Sequence, residues 1–276
     1  MVVHGGPLIL VTNDDGVYSP GLCAALAALR PLGDLLAAAP LHQHSGAGRS
    51  FPNGSTGRIH PVTLEWDGDS LDAYGIEGSP AQSVAYALLE LAPRLPDLAV
   101  VGINYGENVG NDVTSSGTVG AALEAASAGI PTLAVSLQTA PEYHYSHSPG
   151  IDFRVSGQWA RVFAARLLAP DYQLPFDADL LNVNVPQDAT LDTPWRVTRV
   201  SRCRYWASLP PQRENLTDSH PLDYRVGDGW PDLEPDSDIY ALARDRVVSV
   251  SPISLDLSSR VDRLALERDL ADRSFS

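Results

Sequence analysis

Lysine is absent from this chain of 276 residues; all 19 basic side chains are arginine, against 34 Asp and Glu. The formal net charge of −15 excludes a bulk surface that wraps polymeric nucleic acid, because two polyanions repel. A small anionic substrate can still bind if a metal ion or oriented backbone N–H groups receive it. The two cysteines, Cys23 and Cys203, supply no disulfide framework. No apolar run approaches the ~20 residues of a membrane span. Met1 to Pro7 lacks the charged and long apolar regions of a signal peptide. These absences read as a cytoplasmic protein of a reducing compartment with no membrane partner. Three motifs are missing as well. There is no P-loop, and no Gly-x-Gly-x-x-Gly follows the first strand, which argues against a dinucleotide site. No Gly-x-Ser-x-Gly elbow is present, which argues against an α/β-hydrolase.

What is present is a strand–helix alternation. Leu8 to Val11 is a short apolar run that fits a buried strand. Pro20 to Leu32 reads as a helix, Asp34 to Ala39 as a second strand, and residues 57–75 as a hairpin or edge. Ser79 caps a helix reaching about Ala92. Asp97 to Val101 is a strand, Gly102 to Gly117 a polar loop, Thr118 to Ala128 a helix, and Thr132 to Ser136 a strand. After a Tyr-, His- and Pro-rich loop at 137–150 come a helix to Leu168, strands at Asp179–Val185 and Arg196–Val200, an irregular stretch at 201–238, a short strand at Val247–Val250 and a C-terminal helix over about 258–271. This order predicts an α/β fold with a doubly wound, mostly parallel sheet. Ligands in such sheets sit beyond the carboxyl ends of the strands. The polar clusters at 12–16, 40–48 and 102–118 all fall there, so they converge on one site.

Each cluster has its own chemistry. Asp14 and Asp15 are adjacent carboxylates that repel unless a cation or several donors lie between them, and an oxygen-rich site favours Mg²⁺, Mn²⁺ or Ca²⁺. The bland reading is a turn with one Asp capping the next helix. Ser45 offers a hydroxyl to a hard metal, or simply sits in a flexible loop. His42 and His44 have zinc-like spacing, but no paired cysteines accompany them. Asn104 can give an amide oxygen to a metal, and Asn108 an N–H to a phosphate. Ser116, Gly117 and Thr118 lead directly into a helix, whose free N–H groups make an anion site. Together they suggest metal-assisted phosphomonoester hydrolysis, in which the ion holds the phosphate and activates a water.

In this order the residues resemble the SurE (survival protein E) family of nucleotidases. The matching segments are Ile9 to Gly16 with Pro20-Gly21, Ala39-Pro40 through Ser45-Gly46, Gly78 to Ala81, Gly102-Ile103-Asn104 through Gly110, Ser116 to Val119, Leu181 to Pro186, Ser237-Asp238 with Ala241-Leu242, and Val248 to Pro252. The resemblance implies a Rossmann-like domain and a divalent cation, Mg²⁺ or Mn²⁺, held by Asp14, Asp15, Ser45 and Asn104. It places Asp14, Asp15 and Asn108 in catalysis, and Asn13, Gly16, Ser116, Gly117 and Thr118 at the phosphate. The implied activity is hydrolysis of nucleoside 5′-monophosphates, with 3′-nucleotides as a further class. It also implies one domain, with its core over about 7–200 and 245–270. An extended hairpin over about 200–245 would serve assembly into a homodimer or homotetramer. Four positions depart from the family pattern: His44 stands where Arg is usual, Gln82 and Ser83 where Asp-Cys is usual, and Ser115 where His or Tyr is usual. Two rival readings are a nucleotide sensor that does not hydrolyse and a zinc-dependent N-deacetylase. The deacetylase chemistry wants a His before the acidic pair, where this chain has Thr12-Asn13.

Overall fold

All five side chains of β1 (Leu8–Thr12) are out of water, as a strand covered on both faces requires. The computed structural model describes residues 5–66, 68–148, 150–227, 230 and 233–271; residues 1–4, which head the stretch read for a leader, lie outside them. β1 belongs to a nine-stranded sheet. From edge to edge it runs β3 (Ile59–Trp66), β4 (Asp69–Ile76), β2 (Asp34–Pro40), β1, β5 (Leu98–Tyr105), β6 (Thr132–Leu137), β7 (Leu180–Val185), β11 (Val248–Ile253) and β8 (Trp195–Val197). The six strands from β4 to β7 are parallel, while β3 runs against β4 and β11 against β7. The doubly wound, mostly parallel α/β sheet is therefore observed, with antiparallel strands added towards both margins. The chain steps from β1 outward to β2 and later returns to β5 on the other side of β1. β1 and β5 thus flank a topological switch point.

Alternation along β1 sends Ile9 and Val11 to one face, where they pack with Leu22 and Leu26 of α1 (Pro20–Leu29) and with Trp159 and Phe163 of α4 (Arg154–Leu167). Leu8 and Leu10 face the other side. There they meet Val84 of α2 (Pro80–Tyr86) and the small residues Ala121, Ala122 and Ala125 of α3 (Gly117–Ser127). Each fully buried Leu or Ile contributes roughly 1.5–3 kcal/mol, so both layers hold the strand ends firmly.

Serines start the helices as read. Ser79 Oγ accepts from Gln82 N (3.1 Å), and Gln82 Oε1 accepts from Ser79 N (3.0 Å). This reciprocal box satisfies two orphan donors and gives Gln82 a local structural task. The helix read to about Ala92 runs that far: it is α-helical to Tyr86 (α2) and widens into a π-helical turn over Ala87–Leu91, which closes with Ala92 N donating to Ala87 O (2.8 Å).

The polar loop read from Gly102 begins later, because β5 continues to Tyr105. Its pairing with β6 skips a residue between Gly102 and Asn104. This bulge re-aims the chain. Ile103 and Tyr105 join the face of Leu98 and Val100, and Asn104 goes to the opposite, α3-covered face. Residues 201–238, read as irregular, contain an antiparallel ribbon of β9 (Trp206–Leu209) and β10 (Asp223–Val226). Its root rests on a small core of Val109, Tyr205, Leu233, Ile239 and Leu242, the last two from α5 (Asp238–Tyr240) and the turn that follows it. The last helix, α6 (Arg263–Ala271), buries no residue. Among the described residues, no helix is long and apolar enough to cross a membrane.

Candidate active site

The turn after β1 is made by Asn13, whose Nδ2 donates to Gly16 O (3.0 Å) and whose Oδ1 accepts from Gly16 N (3.2 Å). Gly16 has φ 101°, a conformation that costs a residue without a Cβ little. Asn13 and Gly16 therefore shape the turn from within. The turn presents Asp14 and Asp15 at the carboxyl end of β1, only 4% and 1% exposed.

Each carboxylate is held by neutral donors. Asp14 Oδ1 accepts from Thr118 Oγ1 (2.5 Å). Asp15 Oδ2 accepts from Tyr105 N (3.1 Å), and its Oδ1 from Gln43 Nε2 (2.9 Å). Burial pushes both carboxyls above the usual carboxylate range, with the charge of Asp14 adding to the rise at Asp15; the hydrogen bonds pull the other way. Two buried carboxylates stay ionised together when a cation lies between them.

Asn104 and Ser45 supply further oxygens. Asn104 Nδ2 donates to Tyr105 O (3.1 Å) and Gly106 O (2.7 Å), which leaves Oδ1 as the acceptor end of the amide. Ser45 Oγ accepts from Gln43 Nε2 (3.0 Å), so Gln43 ties the serine loop to Asp15. Among the described residues there is no group of three or more His, Cys, Asp or Glu placed to hold a metal. The donor set is two carboxylates, an amide and a hydroxyl, which fits a hard cation. His42 and His44 stand outside it. The backbone N–H of His44 donates to Asp14 O (2.7 Å), a contact that a residue of any type makes.

The start of α3 packs directly against Asp14. Ser116 caps the helix, its Oγ accepting from Val119 N (3.1 Å). A Cβ on Gly117 would lie 2.7 Å from Asp14 Oδ2, so only glycine lets the helix end and the carboxylate meet. The Gly117 and Thr118 N–H groups, in the first turn, have no helical partner. Asn108 is clamped nearby: its N–H donates to Asn184 Oδ1 (2.7 Å), and its carbonyl accepts from Asn182 Nδ2 (2.8 Å) and Asn184 Nδ2 (3.0 Å). Its own amide donates to Ser136 Oγ (2.9 Å).

These residues border a cavity of about 530 Å³. One wall is Asp14, Ser45, Asn104, Asn108, Ser116 and Gly117; the facing wall is His144, Tyr145, Arg204, Trp206, Leu222 and Tyr224. Motif reading missed the second wall and the supports of the first. The one local signal for Asn182 and Asn184 is their i, i+2 spacing on a buried strand, which puts both amides on one face. Tyr205 and Trp206 have no such signal. Their backbone N–H groups both donate to Asp112 Oδ2 (2.7 and 2.9 Å), and Tyr205 Oη donates to Glu107 Oε1 (2.5 Å). Burial pushes Glu107 up to about 7 against that hydrogen bond.

The fold and the cavity together define a class: a doubly wound α/β protein with a buried acidic pair at its switch point, facing a helix N-terminus. Residues 9–207 match the family model of Survival protein SurE. The chain is 43% identical over 268 residues to the 5′-nucleotidase SurE of Thermococcus gammatolerans, covering 97% of both chains. It is 41% identical over 254 residues to that of Thermococcus kodakarensis, covering 92% of this chain and 95% of the relative. The crystal structure of the SurE protein from Aquifex aeolicus matches with TM-score 0.74 at 27% identity, over 96% of this chain and 100% of that one. The chain belongs to the SurE family.

Proposed function

We propose that this chain is a divalent-metal-dependent phosphomonoesterase that hydrolyses nucleoside 5′-monophosphates to nucleoside and phosphate. The observation that carries the reading is a buried acidic pair with only neutral donors, whose Asp14 lines one cavity together with the N-terminus of α3. The 5′-nucleotidase names of relatives at 35–43% identity support it.

Asp14, Asp15, Ser45 and Asn104 would hold Mg²⁺ or Mn²⁺, which when bound neutralises phosphoryl charge and makes water a better nucleophile. Thr118, Tyr105 and Gln43 fix the two carboxylates, and burial keeps them from being solvated instead. The N–H groups at the start of α3 and the Asn108 amide receive the phosphoryl oxygens, and these contacts strengthen as charge grows there in the transition state. The clamp from Asn182 and Asn184 keeps Asn108 from tilting away, so the donor is in place before the reaction. Asn13 and Gly16 contribute by setting the turn.

The test is phosphate release from a panel of nucleoside monophosphates with EDTA, Mg²⁺, Mn²⁺ or Zn²⁺, beside Asp14→Asn. Release that needs metal and is lost in the variant supports the reading. Failure of every nucleotide, with metal bound at Asp14, overturns it in favour of a non-hydrolytic nucleotide sensor.

The protein is further proposed to work in the cytoplasm as a homodimer or homotetramer. Its assembly would use the tip of the β9–β10 hairpin, where Leu216 is 92% exposed. Replacing residues 211–219 by a short turn should lower the mass seen by light scattering; an unchanged mass overturns the hairpin's part in assembly.

A further inference from the structure

We infer that the ribbon wall of the cavity is a stacking subsite for the planar base of the leaving nucleoside, with Trp206 as its principal face. The inference rests on the proposed phosphomonoesterase reading and adds to it the part that chooses the leaving group.

The two walls differ in chemistry. The strand-end wall offers carboxylate, amide, hydroxyl and N–H groups, which suit a phosphate and a cation. The ribbon wall offers Trp206, Tyr224, Tyr145 and Leu222, which suit neither. Tyr145 and Leu222 are 64% and 67% exposed, so this apolar surface is left beside a polar cavity.

Trp206 is held in place from several sides. Its ring makes T-shaped contacts with Tyr205 (4.9 Å), His144 (5.3 Å) and Tyr224 (5.3 Å), and its backbone N–H donates to Asp112 Oδ2 (2.9 Å). Tyr224 is fixed in turn by a hydrogen bond between its Oη and His144 Nδ1 (2.8 Å). A pre-set aromatic face of this kind binds planar rings without selecting their edges. The polar groups on the same wall are Arg204, Ser208, the His144 imidazole and the hydroxyls of Tyr145 and Tyr224, of which His144 Nδ1 and Tyr224 Oη are already paired with each other. The nearby carboxylate of Asp112 already receives two N–H groups on Oδ2. Recognition is therefore by ring face, and the four common bases are accepted with purines ahead because of their larger area.

The test compares kcat/KM for adenosine and cytidine 5′-monophosphates with kcat/KM for ribose 5-phosphate, which lacks the base. It uses the full chain with Mn²⁺ in three forms: wild type, Trp206→Leu, which fills space without an aromatic face, and Trp206→Phe, which keeps one. The expected wild-type preference for nucleotide over ribose phosphate is roughly ten-fold or more. That ratio falls at least about five-fold in Trp206→Leu, chiefly through KM, and is largely kept in Trp206→Phe. Equal ratios in the two variants overturn the subsite, as does a wild type that hydrolyses ribose phosphate as well as nucleotide; the phosphomonoesterase reading survives both results. If the wild type hydrolyses nothing, adenosine binding by calorimetry decides separately. Binding that is lost in Trp206→Leu and kept in Trp206→Phe retains the subsite while the phosphomonoesterase reading fails, and any other binding result overturns the subsite too.

Discussion

The strand-end wall of the cavity is polar: Asp14, Ser116 and Gly117 are buried, Asn104 and Asn108 half-buried and Ser45 exposed, and its acidic pair is tied by hydrogen bonds to Gln43, Tyr105 and Thr118. The ribbon wall is half-exposed and aromatic, and it reaches the cavity from more than 90 residues further along the chain. The first wall stands at the ends of central strands of the sheet, between two helical layers. The second stands on a two-stranded ribbon anchored by a small core and by the Asp112 and Glu107 bonds. Under the proposed function, the demanding chemistry would fall to the rigid wall and the choice of leaving group to the lighter one. Rigid scaffold elements hold reacting groups to tight tolerances, whereas stacking tolerates small shifts.

The largest effect that would break this contrast is at Asp14. Asp14→Asn should lower kcat/KM by roughly 10³-fold or more and abolish metal binding by calorimetry. A loss below ten-fold would show that the acidic pair is not the centre of the chemistry. Gly117→Ala comes next. Its Cβ would lie 2.7 Å from Asp14 Oδ2 and 3.0 Å from His44 O, so the carboxylate or the helix start must move, and an error of that size costs about 10²-fold. Near-normal kcat would show that this contact has slack.

Stability against pH sharpens the same point. The carboxyls of Asp14, Asp15, Glu107 and Asp238 are all raised by burial. A raised acid binds its proton more tightly in the folded state, so its contribution is full below its unfolded pKa near 4 and is lost as pH rises through the folded value. The metal-free protein should therefore lose stability from about pH 4 to above pH 7, and a divalent cation should raise Tm more at pH 8 than at pH 5. In EDTA at pH 8, Asp14→Asn should raise Tm by roughly 3–8 °C. Calorimetry that finds the variant less stable there would contradict the cost assigned to the buried pair.

Tyr205→Phe probes the lighter wall by removing the bond to Glu107. KM for nucleotides should rise about three-fold with kcat within about two-fold, since the Asp112 bonds remain. A fall in kcat as deep as that of Asp14→Asn would mean that the two walls are not separable. The smallest effect is that of salt. At saturating metal, kcat/KM should rise up to about two-fold with moderate NaCl, because a substrate anion approaches a protein of net charge −15. A steady fall would show that local attraction outweighs the bulk field.

Much of the strand-end wall is legible in the sequence because its parts are local. Leu8 to Val11 is apolar throughout and therefore covered on both sides, and the Asn13-Asp14-Asp15-Gly16 turn must follow it. Ser116-Gly117-Thr118 announces a helix start, and Ser79 announces another as its N-cap. Gly102 to Tyr105 misled for an equally physical reason: glycine and asparagine look like loop residues, yet pairing with β6 carries the strand through them and the bulge at Ile103 turns Asn104 to the α3 side. The ribbon was illegible because β9 and β10 are four residues each, and Pro- and Asp-rich surroundings mask so short a pattern.

The sequence by itself determined the sheet-and-helix alternation, the acidic turn and the helix start at Ser116-Gly117-Thr118, because periodicity, turn chemistry and capping act within a few residues. Only the tertiary structure decided that Thr118 bonds Asp14, that Asn182 and Asn184 clamp Asn108, and that Trp206 lines the same cavity as Asp14. Those pairings join residues from 74 to more than 100 positions apart. Their closeness follows from the order in which the strands assemble and from the packing of layers around them, which no local preference encodes.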